Sequence, residues 1–541
     1  MKLRISCRTC LALILLLGSS VPAQADDFVR QLQESAIKTR TADWGHWGPN
    51  PAAYSSWTNH SNRLIPIYTF GLDTKSVAGA NSIYRDEAKI RQLYGDLPPD
   101  TLNPAAEYFD QTDVYRLQDQ AAKAGKRCVV LIVFDGMDWQ TTWAAATYKN
   151  GCVRYRDGRG TGLCFQDYRK APTDFGYFVA SPHNEGTNID VNRQTIANPG
   201  GDVRGGYSAR IAGDVPWATG DADYLIGKGA DVTHAFPDSA ATATAMTTGV
   251  KTYNDAVNVD PVGRQVEPIA RKLEREGFAI GVVTSVPISH ATPACAYANN
   301  VYREDYQDLT RDMVGLPSVA HSEPLKGVDV LLGAGWGDNK TSDGIQGTNF
   351  VPGNRYLTEA DRRAIDVRNG GKYVVAERTK DRCGEELLSA AARTAIAENK
   401  RLLGMFGTTN SHLPFATADG QYDPAVSINQ AAEVYSPGDR AENPTLAQMT
   451  TAALDVLAAR SEKFWLMVEA GDVDWANHAN NIDNSIGATL AGDDAFHAVA
   501  SWIEKHIGWD QSAVIVTADH GHLLVLDRPE VLCRPSESPR Q

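Results

Sequence analysis

Cys128-Val129-Val130-Leu131-Ile132-Val133-Phe134-Asp135-Gly136 is an unbroken run of seven apolar residues closed by Asp-Gly, the pattern of a strand buried on both faces. A carboxylate at the end of such a strand is expensive to bury unpaired, so Asp135 calls for a cation or for backbone amides to cap. The same pattern recurs. A helical stretch over 113–124 leads into this strand. Helices over 266–276, 445–460 and 488–506 lead into strands over 278–283, 464–468 and 513–516. Repeated helix-then-strand units predict an α/β fold, a three-layer sandwich with a mostly parallel central sheet covered by helices on both faces. Ligands of such sheets bind beyond the carboxyl ends of the strands.

Chemistry-bearing residues stand at those ends. Glu469-Ala-Gly-Asp-Val-Asp474-Trp-Ala-Asn-His478 follows one strand, and an Asp474 that begins a helix would share a face with His478. Asp519-His520-Gly521-His522 follows another. Asp238-Ser239-Ala240-Ala241 opens a helix of small residues, with Ser239 at its positive end, where an oxyanion is favoured. Each segment alone has a plainer reading: Asp238 or Ser239 as an N-cap, Asp474 in a solvated acidic loop, Asp519-His520 in a surface turn. His290-Ala-Thr292-Pro and Arg303 would score as a polar loop and a surface charge. Together they outline divalent metals beside a hydroxyl nucleophile, a phosphoryl-transfer site.

The bulk properties agree. A chain of 541 residues, 43% hydrophobic, can bury a large core. With 66 acidic against 52 basic residues and a net charge of −14, it is no general nucleic-acid binder, and an anionic substrate needs bound cations. Lys2, Arg4 and Arg8, an apolar stretch over 11–17 and Ala23-Gln24-Ala25 read as a signal peptide over 1–25, cleaved near Ala25, for a periplasmic or secreted protein. No later segment reads as a membrane span. Six cysteines follow the signal; Cys152 and Cys164, close in sequence, are the expected bridge, although spacing leaves the connectivity open.

The motifs resemble those of the alkaline phosphatase family, in matching order and with similar spacing from Asp135 to His522. That resemblance implies a phosphomonoesterase working through a phosphoserine on Ser239. It implies a zinc held by Asp135, Asp519 and His520, a second zinc held by Asp474 and His478, and magnesium held by Asp135, Thr292 and Glu469. Arg303 would clamp the phosphate, Asp238 would orient Arg303, and His522 would support Asp474. Small phosphorylated compounds and inorganic phosphate are the implied partners, and the resemblance allows a homodimer. The implied organisation is an amino-terminal arm with helices over 26–125, a catalytic domain over 126–526 with insertions near 139–231 and 304–384, and an irregular tail over 527–541. Residues 26–97 read as largely irregular.

Two departures stand out. His290 occupies a position where many bacterial relatives carry aspartate, which predicts weaker magnesium binding. Only 19 residues follow His522, and 533–541 holds no histidine, whereas the family places a further zinc ligand there. This predicts a truncated carboxyl end, an incomplete second zinc site and slow turnover. The competing readings are a phosphodiesterase or sulfatase, although the Cys/Ser-x-Pro-x-Arg of a sulfatase is absent at Ser239, and a non-catalytic phosphate- or metal-binding remnant.

Overall fold

The computed structural model describes residues 27–228, 234–428 and 432–533. The main sheet has ten strands: β1 (Ile65–Phe70), β2 (Phe109–Asp110), β3 (Cys128–Phe134), β4 (Thr173–Val179), β5 (Ala279–Pro287), β6 (Val330–Ala334), β7 (Tyr373–Glu377), β8 (Arg401–Met405), β9 (Phe464–Ala470) and β10 (Ser512–Thr517). Their spatial order is β7-β8-β6-β5-β9-β3-β10-β1-β4-β2. The apolar run of β3 is central because it can be: all seven residues are buried, with β9 and β10 paired parallel on either side. Seven strands from β7 to β10 are parallel neighbours; β1 then runs antiparallel between β10 and β4.

Helices form two sets that pack within themselves and against the sheet. One contains Thr112–Lys123, Ser239–Thr248, Ile269–Arg275 and Ala291–Cys295; the other contains Trp139–Asn150, Gly384–Ala397, Leu446–Arg460 and Ile482–His506. The three-layer α/β expectation holds. Leu446–Arg460 begins with a reciprocal cap between Thr445 and Gln448, which satisfies otherwise unpaired backbone donors. The helix expected from 488 starts earlier, at Ile482, because Asn481 accepts from the Asn484 amide. Its first turns are polar yet buried, and this masks the apolar period.

Two sequence readings change, and the two stretches expected as insertions carry strands of the main sheet. The amino-terminal stretch taken as irregular contains β1, whose pattern is interrupted by Pro66 but whose pairing comes from distant strands, Ile67 opposite both Thr517 and Gly176. The stretches treated as insertions supply sheet strands, β4 within 139–231 and β6 and β7 within 304–384. The six cysteines from Cys128 to Cys533 are all thiols, so the Cys152–Cys164 bridge is not formed. Cys164 instead opens a one-turn helix whose amides at Cys164 and Phe165 donate to Asp493, while Cys152 stays exposed. The signal peptide over 1–25 and residues 534–541 lie outside the described residues; the tail's described part includes a short helix, Pro529–Leu532, against Trp139–Asn150. Among the described residues no helix is long and apolar enough to cross a membrane.

The topology positions the site. Because β3, β9 and β10 end together, Asp135, Glu469 and Asp519 emerge at one edge of the sheet. β1 runs the other way, so its amino end arrives at that same edge and brings residues 58–63 beside Gly521, with the Ser61 amide donating to the Gly521 carbonyl at 2.7 Å.

Candidate metal and phosphate site

Ser239 begins the helix Ser239–Thr248 and is buried. Its Oγ lies 3.2 Å from His520 Nε2 and 3.4 Å from Asp135 Oδ1. Asp238 caps the helix, accepting from the Ala241 amide at 2.8 Å through Oδ1. Its Oδ2 accepts from Arg303 Nη1 at 2.8 Å and from the Asp255 amide at 3.0 Å. Burial works against the charge of Arg303, but Asp238, Tyr306 and Asp255 outweigh it and raise its pKa. The guanidinium is therefore a fixed cation beside the serine.

His520 Nε2 is 3.3 Å from Asp135 Oδ1, 3.5 Å from Asp519 Oδ2 and 3.9 Å from Asp474 Oδ1. Asp519 also accepts from the Gly136 amide at 2.9 Å, which ties the ends of β3 and β10 together. Gly136 has φ +74°, and a Cβ there would sit 2.7 Å from His522 Nε2, so only glycine fits this turn. On the far side of Asp135, Thr292 Oγ1 donates to Oδ2 at 3.4 Å. Glu469 accepts from Thr284, its β5 partner in register, and its Oε1 is buried without a partner.

The helix Asp472–His478 places Asp474 and His478 one turn apart, as their spacing required, with His478 Nε2 3.5 Å from Asp474 Oδ1. His522 Nε2 lies 2.7 Å from the same oxygen. His290 is half-buried near Trp475 and Tyr306 and joins neither donor group; desolvation, reinforced by the Arg303 charge, pushes its pKa down to about 3.

Asp135, Glu469, Asp474 and Asp519 are each at most 3% exposed, so four like charges share a water-poor space. Burial, reinforced by the neighbouring carboxylates, raises Asp135 well above the usual range. Burial likewise raises Glu469 to about 8 and Asp519 to about 6. Asp474 goes the other way: burial opposes its charge, but His478, His522 and His60 together depress its pKa. Such a set suits divalent cations, which would replace protons on the carboxylates.

His60 is the residue that sequence reading missed. It joins Asp474, His478 and His522 in one donor group, and its ring stacks on that of His520 with centroids 3.7 Å apart. Asp474 and His478, expected to stand without a third donor, have the His60 imidazole beside them, because the antiparallel β1 brings it to the ends of the parallel strands. Only the turn-rich, aromatic setting of Trp57-Thr58-Asn59-His60 marked it in the sequence. A second group, Asp135, Asp474 and His520, adjoins the serine.

A family model described as alkaline phosphatase matches residues 225–531, more than half of the chain. The chain is 32% identical over 302 residues to the alkaline phosphatase of Escherichia coli strain K12, covering 54% of this chain and 59% of that protein. It is 28% identical over 295 residues to alkaline phosphatase 4 of Bacillus subtilis strain 168, covering 54% and 50%. The solved alkaline phosphatase of Thermus thermophilus shows 20% identity and a TM-score of 0.43, covering 73% of this chain and 60% of that one. The chain spans about half to three-fifths of the length of these two curated relatives. With Ser239, Arg303, Glu469, Asp474, His478, Asp519 and His520 all inside the matched span, the chain belongs to the alkaline phosphatase family.

Proposed function

We propose that this protein hydrolyses phosphate monoesters through a phosphoserine on Ser239, with small phosphorylated compounds as substrates. The observation that carries the reading is the position of Ser239 Oγ, within 3.4 Å of both His520 and Asp135, at a helix start beside an Arg303 held by Asp238. Asp135, Asp519 and His520 would hold one zinc ion, Asp474 and His478 a second, and Asp135, Thr292 and Glu469 magnesium. When bound, these ions supply the Lewis acidity that makes hydroxyl and water nucleophilic near neutral pH and offset the charge of the phosphate.

Ser239 Oγ attacks phosphorus as the bond from phosphorus to the alcohol oxygen breaks, and the proton lost by Oγ passes through solvent to that oxygen, so that the alcohol leaves neutral. Water then cleaves the phosphoserine, returning Ser239 and releasing inorganic phosphate. The Ser239–Thr248 amino terminus favours the anion, and Arg303 offers paired donors to two phosphate oxygens. A cavity of about 750 Å³, bordered by Lys340, Arg355, His412, Trp475 and His478, gives the alcohol portion of varied substrates room beside the site. Export to the periplasm or exterior belongs to the same reading.

Protein supplied with zinc and magnesium should release alcohol from a chromogenic aryl phosphate, and Ser239→Ala should lower kcat by at least about 100-fold. Equal turnover of the variant, or no turnover by metal-loaded wild type, would overturn the reading.

A further inference from the structure

We propose that His60, from the segment before β1, is a protein ligand of the metal held by Asp474 and His478. The proposal rests on the metal-centre reading above, and adds a donor outside the span matched by the family model.

The geometry of three atoms carries it. His60 Nε2 lies 3.0 Å from His478 Nε2 and 3.5 Å from Asp474 Oδ1, and His478 Nε2 lies 3.5 Å from that same oxygen. A tetrahedral zinc with nitrogen and oxygen ligands at about 2.0–2.1 Å has donor-to-donor edges of about 3.3–3.4 Å. The three separations match those edges closely enough for the three atoms to form one face of such a polyhedron.

The tautomers point the same way. His60 Nδ1 is 2.7 Å from the Pro237 carbonyl, and His478 Nδ1 is 2.7 Å from the Thr58 carbonyl. A carbonyl only accepts, so each Nδ1 donates its hydrogen outward and leaves each Nε2 as the ring atom that faces the site. The two Nε2 atoms converge to 3.0 Å, a separation that a shared cation would bridge. His522 plays a different part, because its 2.7 Å approach to Asp474 Oδ1 is a hydrogen-bond distance, so it positions that carboxylate.

The segment is built to hold this pose. The Ser61 amide donates to Gly521, Asn62 Nδ2 donates to the Ala235 carbonyl at 2.8 Å, and Arg63 Nη1 donates to Asp138 at 3.0 Å and to the Leu524 carbonyl at 2.6 Å. His60 itself is 6% exposed. Thr58 and His60 therefore support the same metal position from one short stretch, Thr58 through its carbonyl and His60 through its ring.

The test is metal binding rather than turnover. Competition with a chromophoric chelator should show His60→Ala weakening Zn2+ at one position by at least about 100-fold while the remaining zinc stays bound. His60→Cys loaded with Co2+ should show a thiolate-to-cobalt charge-transfer band that Co2+-loaded wild type lacks, a signature that mere loss of packing cannot create. Unchanged zinc affinity in His60→Ala, or no new band in His60→Cys that has taken up cobalt, would overturn the proposal. Failure of wild type to bind Zn2+ would instead sink the metal-centre reading beneath it.

Discussion

Arg303 shows how one side chain is made ready by its surroundings. Asp238 serves two purposes at once, one oxygen capping the serine helix and the other holding the guanidinium. A lysine would keep the charge but lose the planar fork. Arg303→Lys should therefore weaken competitive inhibition by inorganic phosphate by about 10-fold or more, measured as Ki, with zinc content unchanged. An unaltered Ki would remove Arg303 from phosphate binding. Ser239, Asp238, Asp474 and His478 could be singled out in the sequence because helix-start chemistry and one-turn spacing are local rules. His60 had no such local mark, since its meaning comes from partners more than 400 residues away.

Among elements, the long helix Ile482–His506 shows what burial does to its own start. Asp483, in the first turn, accepts from the Ala418 amide at 2.9 Å through Oδ1, while Oδ2 is buried without a partner. Burial pushes its pKa up to about 7, reinforced by Asp27, Asp419 and Asp423. The native state thus holds a proton that the unfolded chain, with a carboxylate near about 3.9, releases earlier. The stability associated with this group is present below that unfolded value and is lost as pH rises through about 7. Asp483→Asn, which never ionises, should melt progressively higher than wild type from pH 5 to pH 7, by on the order of a few degrees, and keep that margin above. Parallel melting curves across this range would contradict the assignment.

At the scale of the molecule, the metal site joins parts of the chain that are distant in sequence: residues 58–63, the end of β3, the helix Asp472–His478 and the turn after β10. On the proposed reading, cations bind this assembled set and not the unfolded chain, so their removal should cost stability throughout the fold. Chelation followed by dialysis is expected to lower Tm by several degrees and to open the segment before β1 to proteolysis, with Zn2+ reversing both effects. At 100-fold excess over Kd the linkage is about 2.7 kcal/mol per ion. A Tm indifferent to chelator would mean that the buried carboxylates are balanced by protons alone.

The sequence by itself determined the α/β class, the central strand and most of the side chains around Ser239. Periodic burial and strand-end carboxylates are properties of contiguous residues. It missed β1 within 26–97, because the pairing partners of that strand lie far away in the chain, and the expected Cys152–Cys164 bridge is not formed. Only the tertiary structure decided that β1 runs antiparallel at the edge of the parallel strands. That reversal carries His60 to the carboxyl ends of β3 and β9, and strand direction within a sheet is set by long-range packing rather than by any local pattern.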